Sequence, residues 1–86
     1  MALLIAEHSF DPPLTEEQHV AIVTRLTPCL EAHGARWVRS YLSSDHRRMV
    51  CEFDAADAEA VREAHRAADA PFDQVWTGVV FKSTDA

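Results

Sequence analysis

Imidazole, thiolate and carboxylate are the side chains that first-row transition metals favour. The chain carries five histidines, His8, His19, His33, His46 and His65, and two cysteines, Cys29 and Cys51. None of the histidines forms an HxxxH pair and the cysteines have no CxxC spacing, so a metal site has to be assembled from separate elements. The sharpest pairing is Cys51 with His65. Cys51 shares a strand face with Met49 and Phe53, and His65 shares a helix stripe with Ala58, Val61 and Ala68. Two soft ligands meeting in one layer can bind a metal or form a thiolate-imidazole pair. The plainer alternative is a buried apolar cysteine beside a hydrogen-bonded histidine at the core edge.

A second constellation, Glu7, Arg39, Tyr41 and Glu52, falls on the opposite sheet face among apolar neighbours. Converging polar groups in an apolar surround can orient a small polar ligand or a metal between two subunits. They can equally be an interface network that sets register. Trp37 and Trp76 read as packing groups, and His46-Arg47-Arg48 as a solvated turn. No nucleophile elbow, phosphate loop or Ser/His/Asp order is present, so no catalytic residue is nominated.

The elements that must position these residues read in order. Residues 2–9 alternate as a strand with one face on a core, stopped by Asp11-Pro12-Pro13. Thr15-Glu16-Glu17-Gln18 is a capping box with two acids in the first turn. Val20, Val23, Leu26, Thr27 and Leu30 form the apolar stripe of the helix that follows. Pro28 predicts a break there, with Thr27 capping a second short helix, and Gly34 ends the region. Residues 35–42 and 47–53 alternate about the turn Ser43-Ser44-Asp45-His46 and make an antiparallel hairpin. In its first strand Trp37, Arg39 and Tyr41 point one way; in its second, Met49, Cys51 and Phe53 oppose Arg48, Val50 and Glu52. Asp57 caps a second helix, Ala70-Pro71 breaks it, Gln74 to Lys82 forms a last strand with a bulge at Gly78, and residues 83–86 are a frayed tail.

The order β-α-β-β-α-β predicts an α+β, ferredoxin-like domain over residues 1–86, a four-stranded antiparallel sheet with two helices on one face. The other face is left bare, so a second copy or a ligand should cover it. A net charge of −6 opposes nucleic-acid and anionic-membrane binding. The apolar start, Ala2 to Ala6, is too short for a signal peptide or a span, which predicts a cytoplasmic protein with reduced thiols. RNA-recognition aromatics are missing from Arg48 to Phe53.

The segments W-V-R-S-Y at Trp37 to Tyr41, V-C-E-F at Val50 to Phe53, D-A-E-A-V-R-E-A-H at Asp57 to His65, and A-P-F-D at Ala70 to Asp73 resemble the domain-of-unknown-function 4242 family. The resemblance implies a small ferredoxin-like protein, some of whose relatives bind nickel. The chain departs from the family pattern at His8, which stands where an arginine is usual, at Glu52, and at Trp76-Thr77-Gly78-Val79, which lacks an acidic residue. No metal ligand is carried over from the family. The reading that results is a homodimeric or larger protein binding a small ligand, nickel or another transition metal. The alternatives are a cofactor-free oxidase or isomerase of the dimeric α+β-barrel type, by analogy of fold alone, and a purely structural interaction module.

Overall fold

The computed structural model describes residues 1–84, so residues 85 and 86 of the expected tail lie outside the described residues. Strand β1 (Ala2–Ser9) leads to helix α1 (Glu16–Ala32), the hairpin β2 (Arg36–Leu42) and β3 (Arg48–Ala55), helix α2 (Ala58–Ala67) and strand β4 (Gln74–Gly78). The sheet order is β2-β3-β1-β4 and every neighbouring pair is antiparallel. Each helix therefore joins two strands with a third lying between them, the ferredoxin-like split βαβ arrangement.

Helix α1 starts on the capping box, with the Gln18 amide donating to Thr15 Oγ1 at 3.1 Å and the Thr15 amide to Gln18 Oε1 at 3.0 Å. The break expected at Pro28 is absent; the helix runs through it. Thr24 and Pro28 both lie on the exposed face, so the Thr24 carbonyl that proline leaves without a partner faces water. Thr27 is no cap either, since its hydroxyl donates to the Val23 carbonyl one turn back at 2.8 Å. The buried stripe is also rotated from the expected one. Leu26 and Leu30 are buried, Ile22, Val23 and Cys29 are half-buried, and Val20 and Thr27 face solvent. Gly34, at φ +67°, turns the chain out of the helix in a conformation that costs glycine little.

Strand β4 ends at Gly78, short of the expected Lys82. Gly78 pairs with Leu3, the second residue of β1, so the ladder has almost run out of partner there. Asp57 caps α2 as expected, its Oδ1 accepting from the Ala60 amide at 2.9 Å. Leu4, Ala6, Phe53, Ala55, Val61 and Ala64 form the heart of the core between sheet and helices.

One irregularity decides which side chains share a face. In the β2–β3 ladder Trp37 pairs with Phe53 and Arg39 with Glu52, leaving Val38 as an extra residue in a bulge. Strict alternation, which places Trp37 with Arg39 and Tyr41, fails at this point. Trp37 instead lies on the helix side, edge-on to the His19 ring at 6.5 Å, while Arg39 and Tyr41 stay on the open side.

Candidate functional site

Two histidines meet on the helix side. Along β1 the even positions Leu4, Ala6 and His8 face the core, and α2 brings His65 over the same layer one turn after Val61. Both rings are buried, and their centroids lie 5.5 Å apart. His8 Nδ1 is 3.0 Å from the Pro71 carbonyl and His65 Nδ1 is 2.8 Å from the Val61 carbonyl. A carbonyl can only accept, so each Nδ1 carries the proton and each neutral ring keeps a bare lone pair on Nε2. Among the described residues, these two Nε2 atoms are the buried side-chain polar atoms with no hydrogen-bond partner. An orphaned polar atom in a core costs about 1–3 kcal/mol, and here two occur side by side.

Around them lies a cavity of about 40 Å³ whose walls include Met49, Cys51, Phe53 and Leu26. That volume admits a water molecule or an ion, whereas dry cavities that hold a benzene ring are nearer ~150 Å³. Cys51 lines the same cavity as His65, but its hydrogen bond is with Ser40, whose hydroxyl donates to Sγ at 2.9 Å while accepting from Trp37 Nε1 at 2.9 Å. Burial pushes the Cys51 thiol above its ordinary range, against a smaller opposing pull from Ser40, so it is a thiol and a weak nucleophile at neutral pH. The structure thus brings Cys51 and His65 to one cavity and sets His8 beside His65. Sequence reasoning did not nominate His8. Its signal was a histidine on the apolar face of an alternating strand, and the pairing itself depends on the strand order and on the loop that supplies the Pro71 carbonyl.

Glu7, Arg39, Tyr41 and Glu52 all lie on the open face, as their alternation implies. Two rows cross the sheet there, Tyr41–Val50–Glu7–Gln74 and Arg39–Glu52–Ile5–Trp76. The carboxylates are already engaged. Arg39 Nε donates to Glu52 Oε2 at 2.9 Å, and Glu7 Oε2 accepts from Gln74 Nε2 and Trp76 Nε1, both at 2.7 Å. Tyr41 is 56% exposed and Trp76 45%. The two constellations therefore stand on opposite sides of one sheet, and nowhere among the described residues do three or more His, Cys, Asp or Glu side chains gather into one cluster. No helix among those residues is long and apolar enough to cross a membrane.

The family model described as nickel responsive protein SCO4226-like matches residues 4–77. The chain belongs to this family. Its fold is similar to that in the crystal structure of SCO4226 from Streptomyces coelicolor A3(2), with a TM-score of 0.83 at 15% identity over 94% of this chain and 100% of that one. No curated protein matches the chain. The expected ferredoxin-like fold and membership of a small family associated with nickel are both borne out.

The buried imidazoles predict a pH dependence of stability. Burial holds both His8 and His65 below the ordinary 6.5; each backbone hydrogen bond opposes this in part, and His8 adds a smaller depression to His65. Unfolded histidines take up protons near 6.5 while the folded ones decline them, so stability is full above that pH and falls as pH drops. The melting temperature should fall from pH 6.5 toward 5, before carboxylates with ordinary values of 3.8 and 4.5 titrate. Thermal unfolding followed by circular dichroism across this range checks it, and a flat profile would contradict neutral burial of the pair.

Proposed function

We propose that this chain is a cytoplasmic binding protein without a reaction of its own, which takes up a transition-metal ion in the helix-side cavity and works as a homodimer joined through the open sheet face. The observation that carries the metal reading is the pair of buried, unpartnered Nε2 lone pairs. Their Nδ1–H groups are fixed on backbone carbonyls, the outer arrangement that orients metal-binding histidines. The family description supports a metal as the ligand class. The residues present do not complete a nickel(II) centre, which favours tetragonal sets of nitrogen and oxygen donors: the cavity is lined by His8, His19 and His65 and by no carboxylate, and among the described residues no third His, Cys, Asp or Glu gathers with the His8–His65 pair. Its small volume favours binding an ion over oxidation or isomerisation of an aromatic molecule.

The test is calorimetric titration of metal-free protein with nickel, zinc and copper. One site per chain tighter than about 10 μM, roughly −7 kcal/mol, is expected for at least one metal. His8→Ala and His65→Ala should each weaken it at least tenfold while the circular dichroism of the fold persists, and Cys29→Ser should leave it unchanged. Absence of binding by all three metals sinks the reading.

Support for the dimer comes from the open face. Arg36, Arg39 and Arg48 balance Asp54, Glu52 and Glu7 there on a chain of net charge −6, and two large aromatic groups project into water beside them. A charge-neutral, aromatic face on an acidic protein lets two copies approach without the repulsion the rest of the surface carries.

A further inference from the structure

We propose that the ion selected by this cavity is monovalent and soft, Cu(I), held by His8 Nε2, His65 Nε2 and the thioether sulfur of Met49. The inference rests on the reading that the cavity binds a metal, and it names which one.

Three observations converge. The first is donor type. His8 and Met49 are direct cross-strand partners in the β1–β3 ladder, so their side chains stand next to each other on the helix side. Met49 is buried and lines the cavity with both histidines. Thioether sulfur is a soft ligand that selects Cu(I), and imidazole suits copper as well.

The second is charge. The residues around the cavity include no aspartate or glutamate, so a dication would sit there without a counter-charge. The Born cost of burying an ion rises with the square of its charge, which makes a monovalent ion roughly four times cheaper to bury than a dication of similar size.

The third is coordination number. Cu(I) is satisfied by few ligands, whereas nickel(II) must fill its remaining positions with water or other donors, in a space of about 40 Å³ where, among the described residues, neither His19 nor Cys51 of the lining gathers with the two histidines into a set of three. The cavity has room for the bare ion and little of a hydration shell. The orphaned Nε2 atoms, the cross-strand sulfur and the missing carboxylate thus all point to the same ion.

The experiment is anaerobic. Cu(I) affinity is measured by competition with a colorimetric Cu(I) chelator and Ni(II) affinity by calorimetry on the same protein. Cu(I) should bind at least a thousandfold more tightly. His8→Ala, His65→Ala and Met49→Leu should each weaken Cu(I) tenfold or more, and long-range proton–nitrogen spectra should show the Nε2 resonances of His8 and His65 moving on Cu(I) addition while those of His33 and His46, outside the cavity, stay in place. If Ni(II) binds as tightly as Cu(I) and depends on both histidines, the choice of ion is wrong while the metal reading stands. If Cys51→Ser abolishes Cu(I) binding and Met49→Leu is silent, the donor set is wrong. Binding of neither ion overturns both the inference and the reading beneath it.

Discussion

Phe53→Ala is expected to lower the free energy of unfolding by about 3–5 kcal/mol, the range for deleting a buried aromatic ring. Phe53 is 1% exposed on the central strand β3, flanked by Leu4 of β1 and Trp37 of β2 and edge-on to His65 at 5.6 Å. Its neighbours are held by ladders on both sides and by a helix above, so they have little freedom to close over the gap. A chain of this length has a stability of about 4–13 kcal/mol at typical per-residue values, so a single truncation removes a large fraction of it. Urea denaturation measures the effect. A loss below about 1 kcal/mol would mean that the helix layer collapses onto the sheet more readily than the packing implies, whereas Phe53→Leu, which keeps much of the volume, should cost well under half as much.

Tyr41→Glu should dissociate the homodimer proposed above and leave the monomer folded. Tyr41 projects from β2 with more than half its surface exposed in the single chain, and an interfacial aromatic of this kind contributes about 2–4 kcal/mol, a 30-fold to 1000-fold change in dissociation constant. A carboxylate at this position also adds a charge in the same cross-sheet row as Glu7. Sedimentation velocity over a tenfold range of concentration distinguishes the outcomes. The native chain should remain dimeric where Tyr41→Glu is monomeric, with unchanged helical circular dichroism. An unshifted dimer would remove the open face from consideration as the interface.

Much of the fold was readable because it is written locally. The capping box at Thr15 and Gln18, the Asp57 cap, the β1 stop at Asp11-Pro12-Pro13 and the two-residue alternation of β3 each act over a few positions, and the structure reproduces them. Pro28 misled because the cost of a proline depends on where its helix faces, and its position toward solvent is a property of the assembled layer. The end of β4 misled because residues 79–82 have strand-forming composition but no neighbouring strand to pair with. Of the candidate site, Cys51 and His65 were assigned to the helix side and Glu7, Arg39, Tyr41 and Glu52 to the open side, and alternation was enough for that. The His8–His65 pair and the His8–Met49 contact were not readable, because both depend on which strand lies beside which.

The extra residue at Val38 has a meaning beyond local geometry. Upstream and downstream of it the alternation of β2 is out of phase, so the same residues paired without the bulge would give the indole the opposite assignment. Trp37 would leave the hydrogen-bonded chain to Ser40 and Cys51 and join Tyr41 on the open face. The wall of the buried chamber and the stickiness of the outer surface are thus coupled through a single backbone position: flattening the bulge with Val38 retained alters both at once, whereas deleting Val38 leaves the indole on the helix side.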